Sequence, residues 1–216
     1  KLILKICSRN YSSLIHLCQS SQSYELIEQY ENSISVRHEK YITGLISTDI
    51  LSQKLKKYKN VTKILYELKN KFKFVCTFHG SHLASKGSLH IPEIARYLQN
   101  VAFILPFKKR SFLEEYYKIY NKKVDFLKNL FFLDINSNTG LIHLLDHSSA
   151  QLIFSCWSSP IEIAMIKSLQ LKSPVISFYT SNLNTTSEIH RQFIEKTGKG
   201  LQLRYPLEDK SYKKIS

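Results

Sequence analysis

Glycine is scarce in this chain of 216 residues: there are six, with five prolines, one methionine and one tryptophan. Neither G-x-G-x-x-G nor G-x-x-x-x-G-K-[ST] occurs. Both loops need glycine to bring backbone N–H groups close to a pyrophosphate, so the usual dinucleotide and P-loop sites are excluded. No G-x-S-x-G elbow is present, which removes the strained serine nucleophile of the hydrolase type. Cys7, Cys18, Cys76 and Cys156 form no C-x-x-C pair, and their spacings fit no zinc ribbon. Cys76 and Cys156 lie in apolar runs, where a free thiol behaves as a small hydrophobe; a reducing compartment without structural disulfides is expected. Every apolar run is broken by Lys, Pro or Ser before it reaches bilayer length, so no membrane span is expected. Leu2 to Leu4 is too short for an apolar targeting core.

Acidic residues are also in short supply. Lys and Arg total 31 against 17 for Asp and Glu, a net charge of +14. A compact domain with that excess repels itself unless a polyanion neutralises it, and nucleic acid is the first partner to expect. The imbalance is local. Lys54, Lys56, Lys57, Lys59, Lys63, Lys69, Lys71 and Lys73 share their stretch with one acid, Glu67. Solvated helix faces usually interleave both signs, so this run reads as a phosphate-facing surface. Lys108, Lys109 and Arg110 form a second cluster after the apolar run Val101 to Leu105, with Tyr116, Tyr117, Tyr120 and further lysines behind them. Mixed basic and aromatic side chains suit RNA, although the tyrosines alone fit a packed helix face better.

What the chain does contain is a strand-then-helix rhythm. Tyr41 to Ile46 is a short apolar run ending in the helix-starting Ser47, Thr48 and Asp49. Ile50, Leu51, Leu55, Val61, Ile64, Leu65 and Leu68 follow at helical spacing. Phe72 to Phe78, Val101 to Leu105, Leu152 to Cys156 and Pro174 to Tyr179 read as buried strands. Ile91 to Gln99 and Ile161 to Leu171 read as helices with proline at or just before the first turn. Ser111 to Phe132 reads as a long helical stretch, and 134–140 and 181–186 as polar loops. The expectation is a three-layer α/β/α domain with a parallel sheet, Rossmann-like or flavodoxin-like. It is divided into an N-terminal arm (1–40), an α/β domain (41–184) and a basic C-terminal tail (185–216).

Metal and nucleophile patterns are weak. His143 and His147 have an i,i+4 spacing, but no glutamate follows the first histidine as H-E-x-x-H requires. Cys76 and His79 lie close in sequence without an orienting acid nearby, so no catalytic pair, metal or cofactor is expected.

The segment from Gln151 to Asn184 resembles the small-subunit ribosomal protein 2 family, in a diverged, organellar form. Ala164, Lys167, Pro174, Val175 and Asn182 fall in register with its strand–helix–strand stretch. Upstream, Arg37, Tyr41, Ile42, Leu45 and Thr48 are similar to the family's first strand, and Val75 and Thr77 to its second. His16 stands for one histidine of an N-terminal motif, and Tyr205-Pro206 for a late one. The family's motif after the third strand is replaced by LPFKKRSF, and its two-helix projection is shortened. The resemblance implies a non-enzymatic constituent of a mitochondrial small ribosomal subunit. Its partners would be small-subunit rRNA and neighbouring ribosomal proteins, with no membrane. Arg37, Lys54, Lys56, Lys57, Lys108, Lys109 and Arg110 would then carry the main phosphate contacts. The rival reading is a Rossmann-like enzyme acting on an anionic small molecule near His79 and Lys108 to Arg110. The absence of glycine at Ser47 to Asp49, after the first expected strand, counts against it.

Overall fold

The computed structural model describes residues 15–18, 37–40, 59–124, 127–135, 138–156, 163–179 and 185–204. Two short strands, β1 (Ile15–Cys18) and β2 (Arg37–Lys40), pair in parallel with Ile15 opposite Arg37. The other described elements alternate. They run α1 (Lys59–Lys71), β3 (Phe74–Phe78), α2 (Ile91–Tyr97), β4 (Val101–Leu105), α3 (Lys109–Tyr120) and β5 (Leu130–Phe132). Then come α4 (Asn138–Asp146), β6 (Ala150–Ile153), α5 (Ile163–Gln170), β7 (Val175–Tyr179), α6 (Thr185–Thr197) and β8 (Leu201–Arg204).

Strands β3 to β8 form one sheet in the order β5-β4-β3-β6-β7-β8, and every neighbouring pair is parallel. The chain builds outward from β3 to one edge, returns to the middle as β6, and builds outward to the other edge. That is the Rossmann order, with its single reversal between β3 and β6. The expected α/β class with a covered parallel sheet is what the chain adopts. All five residues of β4 are buried, as a strand covered on both faces requires.

Alternation along the strands divides the core. On one face Phe78, Phe103, Leu105, Leu152 and Phe154 pack with Ile94 of α2 and Phe112 of α3. On the other, Val75, Ala102 and Ile104 meet Leu65 and Leu68 of α1 and Leu144 of α4. Each fully buried leucine or phenylalanine contributes roughly 1.5–3 kcal/mol. The apolar stripe of α1 therefore faces inward, while Lys63, Lys69 and Lys71 are exposed on its outer side.

Two stretches differ from the sequence expectation. The long helix expected to Phe132 stops at Tyr120, where Asn121 adopts a left-handed φ of 51° and its N–H closes on the Tyr117 carbonyl at 2.8 Å. Asparagine tolerates that conformation and so ends helices. The stretch expected to hold a shortened hairpin thus carries α3 and α4 with the edge strand β5 between them. Residues 185–204, expected within a basic tail, form α6 and the outermost strand β8. The expected elements at 41–58 lie outside the described residues. Among the described residues no helix is long and apolar enough to cross a membrane.

Candidate functional site at the strand-order reversal

In a sheet of this order the crossovers leave β3 and β6 in opposite directions, which opens a crevice at their carboxyl ends. The chain leaving β3 is His79-Gly80-Ser81, and it descends through two 3-10 turns, Ala84–Lys86 and Ser88–His90, into α2. The chain leaving β6 is Phe154-Ser155-Cys156. The two connections are tied together. The Cys156 N–H donates to the Ser85 carbonyl at 2.9 Å, and the His79 N–H to the Leu152 carbonyl at 2.8 Å. Gly87, at φ +75°, lies directly on the Phe154 carbonyl. Glycine is required there on both counts, conformation and space.

His79 is the central polar side chain. It is buried, and its Nδ1 lies 3.0 Å from Ser168 Oγ on α5. Ser168 donates its own proton to the Ala164 carbonyl at 2.8 Å, so the serine oxygen accepts and His79 Nδ1–H donates. Burial holds the imidazole at a pKa of about 4, and the nearby Lys167 ammonium pushes the same way. The ring is neutral at physiological pH. Lys167 brings positive charge to this edge. Lys86 packs beside Gly80, since a side-chain carbon on Gly80 would meet the Lys86 Cβ at 3.6 Å. Cys156 Sγ lies 3.6 Å from His90 Nε2 on the other side of the Gly87 contact. His90 is also depressed by burial.

Cys76 and His79 are not a catalytic pair. Cys76 faces the α2 side of the sheet and His79 the α5 side, as residues three apart on a strand must. Burial also pushes the Cys76 thiol up to about 12, which removes it as a nucleophile. His82 rests against the Phe107 ring, centroids 6.1 Å apart, and does not join His79. The His143 and His147 rings lie tilted with centroids 4.3 Å apart, and His143, bonded to Thr62 at 3.0 Å, holds α4 to α1. Among the described residues no cluster of three or more metal-ligating side chains is present.

The residues expected to contact RNA are described only in part. Lys54, Lys56 and Lys57 lie outside the described residues, and Arg37 opens β2. Lys108, Lys109 and Arg110 are exposed at the start of α3, one strand away from the reversal. Arg110 pairs with Glu114 at 2.8 Å, which raises its pKa. Lys109 and Arg110 line a groove of about 670 Å³ with Leu113, Glu114, Tyr117 and Lys123. Lys86, Lys167 and Ser168 were not singled out from the sequence as site residues. The usable signal was Gly80 and Gly87, two of six glycines placed just after a central strand.

No protein-family model and no curated protein sequence matches the chain. Solved structures do. The chain is similar to Anabaena HepE in complex with UDP-glucose, with a TM-score of 0.58 and 14% identity over 90% of this chain and 58% of that one. It is similar to a UDP-forming trehalose-phosphate synthase from Burkholderia xenovorans in complex with glucose-6-phosphate, at TM-score 0.63 and 9% identity over 93% and 51%. It is also similar to the N-terminal domain of Candida albicans trehalose-6-phosphate phosphatase, at 0.57 and 12% over 93% and 49%. The chain spans about half the length of these structures. At such identities the likeness is one of fold.

This likeness overturns the expectation of a non-enzymatic ribosomal constituent, and with it the expected partners, small-subunit rRNA and neighbouring ribosomal proteins. The three structures named above are sugar-nucleotide and sugar-phosphate proteins, enzymes among them, and not ribosomal ones. The physical reason lies in the first strand of the sheet. Ser47 to Asp49, which lack glycine, lie outside the described residues. The strand at the reversal is β3, and its turn carries Gly80, with Gly87 seven residues on.

Proposed function

We propose that this chain is the nucleotide-sugar-binding half of a glycosyl-transferring enzyme, with its ligand in the crevice between the carboxyl ends of β3 and β6. The observation that carries this reading is the set of His79, Lys86 and Lys167 around a strand-order reversal, where parallel α/β sheets bind small ligands. Two ammonium groups suit a diphosphate, and the lack of a glycine-rich fingerprint argues against a dinucleotide. The solved structures of this fold that hold UDP-glucose or glucose-6-phosphate support the same ligand class. The chain's own residues would bind and orient. The lysines neutralise the phosphates, and the Gly87–Phe154 contact keeps the two connections at a fixed spacing.

The test is isothermal titration of the full chain with UDP-glucose and with UDP. Saturable binding of both is expected. Lys86→Ala and Lys167→Ala should each weaken it by about tenfold or more, the worth of a charge-assisted hydrogen bond. Failure of the wild-type chain to bind either ligand would overturn the reading.

A further inference from the structure

Two buried histidines in this protein are each bonded to a serine, and they differ at one atom. His190 on α6 has Nδ1 2.8 Å from Ser177 Oγ on β7, and its Nε2 is sealed in the interior beside the Val175 backbone. That pair staples a helix to a strand. His79 has Nδ1 on Ser168, but its Nε2 is not among the sealed atoms, and the residue keeps 8% of its surface. Nε2 makes no hydrogen bond to a described residue. It is therefore open where the His190 atom is sealed, at the carboxyl edge of β3.

The tautomer follows from the chain of donors. Ser168 Oγ–H is spent on the Ala164 carbonyl, so His79 must hold its proton on Nδ1 and present a lone pair at Nε2. The His79 backbone is held in turn by the Leu152 carbonyl, so the ring is fixed at both ends. A lone pair at this position repels phosphate, whose oxygens at neutral pH are almost all acceptors. It accepts from a hydroxyl.

We infer that His79 Nε2 is the acceptor for a hydroxyl group of the ligand, so that the sugar lies over the end of β3 while the diphosphate meets Lys86 and Lys167. This inference rests on the nucleotide-sugar reading and gives the crevice a direction. His79 is then a residue that separates a nucleotide sugar from the bare nucleotide. The depressed pKa agrees, because a ring neutral at physiological pH keeps the lone pair available.

The experiment compares UDP-glucose with UDP on wild-type chain and on His79→Phe, which keeps a ring and removes the acceptor. Affinity for UDP-glucose should fall about tenfold while that for UDP changes by less than about twofold. Equal losses for both ligands, or no loss for either, would overturn the inference and leave the binding site standing. Wild-type chain that binds neither ligand would overturn both readings. Since a buried substitution can unfold the chain, a second measurement uses the unaltered protein. A long-range ¹H–¹⁵N spectrum of His79 at neutral pH should show protonated Nδ1 and bare Nε2, with the Nε2 resonance moving on addition of UDP-glucose and not of UDP. A proton on Nε2 in the free protein, or an equal response to both ligands, would overturn the inference.

Discussion

A side-chain carbon on Gly87 would stand 1.9 Å from the Phe154 carbonyl oxygen. The two residues lie 67 positions apart in sequence, one in the connection from β3 and the other just beyond β6. The contact presses together the two chains that leave the sheet at its reversal, and so sets the width of the candidate site.

Gly87→Ala is therefore expected to damage stability and site together. The left-handed backbone costs a non-glycine residue about 1 kcal/mol, and the backbone clash adds to it, for a loss of roughly 3 kcal/mol or more. Urea denaturation measures the loss. Gly198, also at positive φ, meets nothing within 4 Å of an added carbon. Gly198→Ala carries only the conformational cost and is the control. Equal midpoints for the two variants would sink the packing argument.

Much of the sheet was legible in the sequence. Val101 to Leu105 is five apolar residues stopped by Pro106, and no other element type fits so short a run buried on both sides. Pro92 marked the start of α2. Other elements were hidden for physical reasons. Phe131 and Phe132 sit in a run as aromatic as the helix before it, so periodicity alone could not separate β5 from α3. Helix α6 begins at Thr185 in a polar stretch that reads as a loop, and tertiary packing of His190 against Ser177 decides its structure. The candidate site was legible only in part. His79 could be named, but Ser168 lies 89 residues away, and its hydrogen bond exists only once α5 packs over β3. The lysine-rich runs drew attention to Lys54 and Lys108, whereas the two lysines at the reversal stand outside any charge run.

Asn129 holds the bottom of the sheet. Its Nδ2 lies 2.9 Å from the Ala95 and Leu98 carbonyls and 3.0 Å from that of Val101, where α2 ends and β4 begins. These carbonyls are buried. Asn129→Ala should cost about 1–2 kcal/mol, from the lost amide hydrogen bonds and the vacated space, since the Leu98 carbonyl keeps the Val101 N–H and the Ala95 carbonyl keeps the Gln99 amide. Asn129→Asp, which turns the donor into a charge facing three carbonyls, should cost more. Denaturant titration of both variants checks the order. An aspartate variant as stable as the alanine one would contradict this assignment.

Gln151 is the opposite case. It lies fully buried in β6, and neither Nε2 nor Oε1 has a hydrogen-bond partner among the described residues. A buried amide without partners costs roughly 1–3 kcal/mol. Gln151→Met has nearly the same length and volume and removes both polar atoms, so it should raise stability by about 1 kcal/mol. The measurement is the shift of the thermal midpoint. A drop would mean that the amide does find a partner, such as an internal water, in solution.

Acid should unfold this protein early. His79 and His190 are each held near pKa 4 against an ordinary value of 6.5, in both cases chiefly by burial. In the unfolded chain both rings take up a proton near pH 6.5, whereas the folded chain resists until near pH 4. Between those limits the unfolded state binds more protons, so stability rises with pH and falls as the solution is acidified. Each histidine can withdraw about 2–3 kcal/mol by the bottom of that window. Chemical denaturation at steps from pH 7.5 to 4.5 should therefore show a steady loss beginning below about pH 6.5. His190→Gln removes one of these titrating groups, so its stability should fall less steeply over the same range, even if its value at neutral pH is lower. Parallel curves for the variant and the wild-type chain would mean that His190 titrates alike in both states, and that its burial against Ser177 is not maintained in solution.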